Sequence, residues 1–373
     1  MRAFQVVEFG APLASRILPD PLPGARDVVV DVASCGLCHS DAHFQQGHLS
    51  LGGDQKVPVA MLGIHTPVSL GHEIYGHIAA FGQESGLTPA DVGRPVIVYP
   101  WIGCGHCEAC LAGRDNECPT PENLGAQRPG GHGEKVVVRD PKFLVDAEGL
   151  DPHYAGIFAC CGLTAYAALG KIIRREGPIG IIGMGGLGLM ALAIAKGTGF
   201  DQVAALDIDQ AKLALATQSY GADFSFDSRA KDVGEQIQGA TGGLVAVVDF
   251  VGSEQTSNLA LSVLRTGGTY VNVGLFGGLL QVPLLLLAKR QLFVRGSYVG
   301  TPQDLRDLIG HVRAGKVKPI PIQNEPIERI NDGLKRLRAG QVTGRIVHAH
   351  HSGYLSPAQF DDQHAQKTVK PAA

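Results

Sequence analysis

Residues 179–197 read IGIIGMGGLGLMALAIAKG, and no other stretch restricts the fold as tightly. Four apolar residues suited to a buried strand run into Gly183, Gly185, Gly186, Leu187 and Gly188, and an apolar helical stretch follows. This is G-x-G-x-x-G in its strand–turn–helix setting. The first glycine allows the turn, the second admits a pyrophosphate against the backbone, and the third lets helix pack on strand. The helix N-terminus then faces negative phosphates. Asp207 closes the next apolar run, VAALD, 19 residues after Gly188. A carboxylate there accepts the ribose hydroxyls and repels a 2′-phosphate, which selects NAD over NADP. The competing role for Asp207 is a helix N-cap, which Asp209 fits better.

The same texture continues on both sides of the glycine loop. QVAALD precedes QAKLALATQSYG, AVVDFVG precedes SNLALSVLRTGG, and TYVNVG follows. Strands alternating with helices at this pitch indicate βαβ units and a parallel sheet. Before about residue 155 the pattern differs: VVVDVAS, RPVIVYP and EKVVVRD are short β-branched runs between turn residues. After residue 301 come two amphipathic stretches, DLRDLIGHVRAGK and ERINDGLKRLRAG, and a final strand-like TGRIVHA. The expected organisation is a discontinuous β-rich domain, 1–155 with 302–373, around a nucleotide-binding domain, 156–301. The polar tail from about His351 is expected to be disordered or to lie on a partner subunit.

A length of 373 residues favours two domains, and 45% hydrophobic against 18% charged residues excludes a disordered chain. The net charge of −3 offers no basic footprint for nucleic acid or an anionic membrane. The start, MRAFQVVEFGAPL, carries no signal-peptide pattern, and no apolar run is long enough for a membrane span. A cytoplasmic location is therefore expected, where clustered cysteines are metal ligands more often than disulfides.

Cys104, Cys107, Cys110 and Cys118 form C-x2-C-x2-C-x7-C. Four thiolates on one short loop can close a tetrahedron around zinc and leave no position for a substrate, so this site is structural. An iron–sulfur cluster is the alternative. A second set is dispersed: Cys38 in CGLCHSDAH, His72 and Glu73 in LGHEIYG, Cys160 and Cys161 in FACCGLT. Two thiolates and an imidazole would make an open, catalytic zinc site. Singly, each has a plainer reading: a hydrogen-bonded histidine, a surface carboxylate, small buried thiols.

Together the pieces resemble the zinc-dependent alcohol dehydrogenases of the medium-chain dehydrogenase/reductase superfamily, nearest the yeast-type and bacterial tetrameric branch. CHSDAH, GHEIYG, the four-cysteine lobe, ACCGLTAYAAL, GSYVGTPQDL and GQVTGRIV carry the likeness, over residues 3–348. It implies an α/β protein with a GroES-like β-rich catalytic domain and a Rossmann domain built on a doubly wound parallel sheet. It also implies two zinc ions per subunit, NAD, a small alcohol or carbonyl substrate, and a homodimer or homotetramer.

The catalytic zinc would be held by Cys38, His72 and Cys160, the last preferred over Cys161 by its place two residues before Gly162. Glu73 would stand behind the metal and bind it transiently, and Asp41 would orient His72. Ser40 and His43 would pass the alcohol proton outward through the ribose hydroxyl. His39 and Arg345 would sit near the pyrophosphate, and Lys212 would reach the adenosine ribose. Val251, Val273 and Ser297 complete the coenzyme contacts. Ser40 and Trp101 would wall the substrate pocket, with Tyr99 as the other candidate wall. Polyol dehydrogenases usually place a carboxylate where Cys160 stands. The zinc-independent quinone and enoyl reductases lack the ligand set, and a non-enzymatic NAD sensor would not need Ser40 and His43. Two departures stand out: the Cys38–His72 interval, 34 residues, is longer than usual for the yeast-type branch, and the chain ahead of Cys104 is about two residues short.

Overall fold

A computed structural model describes residues 1–351 and 353, so the tail segment discussed above lies outside the described residues. The glycine-loop strand, Ile179–Ile182, sits near the middle of a six-stranded sheet. Its neighbours are Val203–Asp207 and then Phe224–Asp227 on one side, and Leu244–Asp249, Leu264–Asn272 and Phe293–Gly296 on the other. All pairings are parallel, which is the doubly wound order with the crossover at the glycine loop. The three central strands are buried throughout, as strands covered by helices on both faces must be. Sequence reading missed the strand Phe224–Asp227 and the helix Val233–Thr241. Both are short, and only Phe226 of the strand and Val233 and Ile237 of the helix are buried, too few to announce a period.

The second large sheet runs in the order Leu144–Asp146, Pro95–Val98, Glu73–Phe81, Val28–Leu37, Arg345–Ala349, Ile322–Pro326, with Lys135–Val138 also on Val28–Leu37. The final strand, Arg345–Ala349, therefore returns the chain to its first half and pairs antiparallel with Val28–Leu37. The glycine-loop helix, Gly186–Gly197, packs on Cys161–Gly170, the helix that follows Cys160. Among the described residues no helix is long and apolar enough to cross a membrane.

The extra length between Cys38 and His72 forms a hairpin, His48–Gly52 with Gln55–Pro58. It reaches across to the parallel sheet: a Cβ built on Gly277 would fall 2.4 Å from the Ser50 hydroxyl, and one on Gly52 3.0 Å from the Gly278 backbone. Glycine on both sides permits this contact between halves of the chain.

Three histidines at the β-rich sheet are buried: His348 on its strand Arg345–Ala349, with His132 and His350. Both ring nitrogens of His132 and of His348 lack a hydrogen-bond partner. Burial holds the His132 imidazole down at about 4 and the His348 imidazole at about 3. The unfolded chain protonates these rings near their ordinary value of about 6.5, whereas the folded chain does not. Protons then favour the unfolded state below that value, so stability is lost as pH falls from about 6.5 toward 4. The linkage amounts to about 2 kcal/mol per histidine at pH 5. Urea unfolding at pH 7 and pH 5 should show this loss, and His348→Phe should reduce it.

Candidate active site

Cys38 follows the central strand Val28–Leu37 and serves as N-cap of the helix His39–Gln46. His72 precedes the neighbouring strand, and Cys160 sits at the start of the helix Cys161–Gly170. Three elements far apart in sequence thus bring one imidazole and two thiols together. Their ligand atoms all lie within 4.8 Å of one another, and all three residues are buried. The Cys38 and Cys160 sulfurs are 4.0 Å apart. The His72 Nε2 is buried with no partner in the protein. An orphaned imidazole nitrogen facing two thiols is what a three-ligand zinc site requires, so the residues fit the metal. The contact between the two sulfurs holds the Cys38 thiol well below the ordinary range and, with burial, the Cys160 thiol well above it. Cys161 stays outside the group, and burial pushes its thiol up to about 12.

Asp41 organises this set from behind. Its carboxylate accepts from the amides of Cys38, at 2.9 Å, and Gly71, at 3.0 Å, and lies 3.5 Å from His72 Nδ1. Burial disfavours a charged His72 ring, but the adjacent Asp41 carboxylate overrides it and lifts the pKa well above the ordinary value. Glu73 is not among the three converging ligands. Its carboxylate takes Arg345 in a fork, 2.6 Å from Nη2 and 3.1 Å from Nε, both side chains buried. Burial raises Glu73 to about 7 against the pull of Arg345. Arg345 Nη2 also lies 3.9 Å from the Cys38 sulfur. Its Nη1 is 3.5 Å from where a Cβ on Gly186 would stand, so this arginine joins the metal set to the glycine loop.

The glycine loop fits a pyrophosphate. Gly183 has φ +91°, and a Cβ on Gly188 would meet the Gly183 carbonyl at 1.8 Å. A Cβ on Gly185 would enter open space, the cradle a phosphate could fill. Asp207 accepts from the amides of Met184, Ile208 and Asp209, at 2.5, 2.7 and 2.9 Å. Asp209, not Asp207, caps the next helix, accepting from Ala211 at 2.8 Å. Val251 lies beside Gly183, and Leu187 packs on the core. Val273 donates to Asp249 and Ser297 to Asn272, both through backbone amides at 2.9 Å. Burial lowers the His39 imidazole against the pull of Cys38, and the charges of Arg345, His43 and Lys212 add to the lowering.

Ser40 Oγ is 3.8 Å from the Cys38 sulfur. His43 lies on the same helix, partly buried, and burial lowers its pKa. Trp101 donates its indole N–H to the Ala159 carbonyl at 3.2 Å and lies 5.2 Å from the His72 ring. Tyr99 is a correction: it is fully buried, stacked on Phe143, and its hydroxyl donates to the Gly300 carbonyl at 2.7 Å, so it walls no pocket. Sequence reasoning did not single out Tyr298, a half-exposed residue whose ring stands edge-on to Trp101 at 5.7 Å.

The four-cysteine lobe also fits its metal. The Cys107–Cys110, Cys107–Cys118 and Cys104–Cys110 sulfurs are 3.4, 3.9 and 4.0 Å apart. A zinc tetrahedron with bonds of about 2.3 Å sets its sulfurs about 3.8 Å apart. Backbone amides of His106 and Cys107 directed at Cys104 hold its thiol at about 6.

Two family models match the chain: an alcohol dehydrogenase GroES-like domain over residues 24–148 and a zinc-binding dehydrogenase over 186–314. An NAD-dependent alcohol dehydrogenase of Sulfurisphaera tokodaii is 34% identical over 352 residues, covering 93% of this chain and 99% of the relative. An alcohol dehydrogenase of a Moraxella species is 34% identical, covering 93% and 98%. The solved alcohol dehydrogenase of the archaeon Aeropyrum pernix superposes with a TM-score of 0.84 at 30% identity, covering 94% of this chain and all of that one.

The two cysteine sets should behave differently when broken. Metal analysis should find two zinc ions per wild-type chain and one in each of Cys38→Ser and Cys107→Ser. Cys38→Ser should unfold close to wild type. Cys107→Ser should lose several kcal/mol, because the lobe has little core of its own.

Proposed function

The chain belongs to the zinc-dependent alcohol dehydrogenases of the medium-chain dehydrogenase/reductase superfamily, and we propose that it catalyses the reversible, NAD-dependent oxidation of a small alcohol. The observation that carries this is the buried, unpartnered His72 Nε2 facing the sulfurs of Cys38 and Cys160. Zinc on those three residues supplies a Lewis acid that lowers the pKa of an alcohol hydroxyl toward about 7, and NAD⁺ supplies the hydride acceptor. The protein's own groups do the rest. Asp41 fixes the His72 ring through Nδ1, so that Nε2 is left for the metal beside the Cys38 and Cys160 sulfurs. The Ser40 hydroxyl takes the alcohol proton, and His43, kept neutral at pH 7 by its burial, receives it on the way to solvent. Arg345 neutralises Glu73 and brings positive charge to the phosphate cradle. Asp207 sets the preference for NAD, since a 2′-phosphate would lie against its carboxylate. The second zinc, on Cys104, Cys107, Cys110 and Cys118, is structural. Thiolate sites of this kind suit a reducing, cytoplasmic setting.

The protein works as a homodimer or homotetramer. The edge strand Phe293–Gly296 is exposed along its whole length. Phe293 and Val294 are each 41% exposed, and Leu284 and Leu285 of the preceding helix are 79% and 74% exposed. A bare, apolar edge pairs with a second copy across a two-fold axis.

The test of function is NADH formation from a panel of alcohols. Ser40→Ala should keep both zinc ions and NAD affinity while kcat falls by about 10²-fold or more. Ordinary turnover in that variant would remove the relay, and no turnover of any alcohol by the wild type would sink the reading. Light scattering should find an oligomer, and Val294→Glu should shift it toward monomer.

A further inference from the structure

A cavity of about 700 Å³ lies at the other end of the two helices that carry the active site. The helix Cys161–Gly170 starts beside Cys160, and the helix Gly186–Gly197 starts at the glycine loop. Their C-terminal ends wall the cavity through Tyr166, Leu169, Ile194 and Gly197. At 1.5 Å of rise per residue, those ends stand about 15 to 18 Å from the zinc ligand and the phosphate cradle. None of Cys38, His72, Cys160 or the loop glycines lines the cavity. Its apolar walls, Leu169, Ile194 and Phe200, are buried.

The charges on the cavity are unbalanced. Lys171, Arg175 and Lys316 line it, with the imidazole residue His311. Two acids line it as well, and both are committed elsewhere. Glu117 accepts from Arg114 at 2.8 Å. Asp304 closes the capping box of the helix Pro302–Arg313, accepting from the Thr301 amide at 2.8 Å and its hydroxyl at 2.7 Å. Among the described residues the side chains of Lys171, Arg175 and Lys316 have no ion pair and no hydrogen bond. Lys171 is the C-cap of its helix, where the terminal carbonyls answer a cation. Arg175 has no such answer. Its guanidinium lies over the Phe200 ring, 5.0 Å from the centroid. Burial raises the Tyr166 phenol, Asp307 and Asp304 add to this, and the Arg175 charge opposes them. The Tyr166 ring stands 5.8 Å from that of His311. Guanidinium, phenol and imidazole thus gather beside an apolar wall, in a chain whose net charge is −3.

We propose that this cavity is a binding site for an aromatic carboxylate, separate from the active site. A guanidinium resting on an aromatic face keeps its N–H fork available, and a planar two-oxygen acceptor matches that fork. Lys316 and His311 add charge and a donor beside it. The ring of the ligand covers Phe200, Leu169 and Ile194, which a bare inorganic anion would leave uncovered. The volume lies within the range of small-molecule sites. Nothing in the proposal depends on turnover, so it stands apart from the dehydrogenase reading.

The test is isothermal titration calorimetry of the holoenzyme, with both zinc ions bound and NADH saturating, against 2-naphthoate. One equivalent should bind per chain. Arg175→Gln should weaken binding by about tenfold or more, and so should replacing the probe by 2-naphthamide, which keeps the rings and loses the charge. Arg175→Lys should recover only part of the loss, since an ammonium lacks the fork. Arg175 is exposed, so Arg175→Gln should keep wild-type zinc content and urea midpoint. An aromatic carboxylate can also reach a zinc ion, so the titration is repeated on Cys38→Ser, which lacks the catalytic one. Unchanged affinity there places the probe in the cavity, and loss of binding there would overturn the proposal. No binding to the wild type, or equal binding to wild type and Arg175→Gln, would overturn it as well.

Discussion

The ion pair between Glu73 and Arg345 is the constraint around which the two halves of the molecule are arranged. The two residues lie on strands either side of Val28–Leu37, so the pair must cross that strand. It crosses at Gly36, where a Cβ would fall 2.0 Å from the Glu73 carboxylate. Taking two charges out of water costs several kcal/mol, and removing either partner would leave the other uncompensated. That cost secures a position. Glu73 starts the strand next to His72, Arg345 opens the last strand, and the same guanidinium reaches Cys38 and the glycine loop. The last strand of the chain thereby sets the spacing between metal ligands and coenzyme cradle.

Asp41 plays the complementary part for the imidazole. A buried carboxylate needs its lone pairs filled, and the amides of Cys38 and Gly71 fill them while its charge lies against His72. Each of those amides belongs to a zinc ligand or its neighbour. The ligands are therefore placed by the protein before any metal is considered, and the orphaned Nε2 of His72 follows from that placement.

How much of this was legible in the sequence depends on the range of the interaction. The glycine loop and the four-cysteine lobe are each encoded within fewer than twenty residues and were read from spacing; the parallel sheet was read from its βαβ alternation, without the strand Phe224–Asp227. Cys38, His72 and Cys160 could be joined only through a family resemblance, because no local rule brings three elements together. Tyr99 and Trp101 are both large, aromatic and buried, and sequence offered no way to separate a ring stacked in the core on Phe143 from one facing the ligands. Tyr298 was passed over because its signal is a bond from Asn116, 182 residues away, and a positive φ at Val299. Neither leaves a trace in composition or period.

The two sites accordingly store their chemistry in different ways. The coenzyme end is written in the backbone: φ at Gly183, the missing Cβ at Gly188 and Gly185, and hydrogen bonds from backbone amides to Asp207. Such features tolerate little change, since a Cβ at 1.8 Å from a carbonyl has nowhere to go. The metal end is written in side chains that meet only after folding: Cys38, Cys160 and the His72 ring, with Asp41 behind and Trp101 against the imidazole. A fold arranged in this way writes its coenzyme site locally and its metal site at long range, so the metal site is the part of its chemistry that the local sequence declares least.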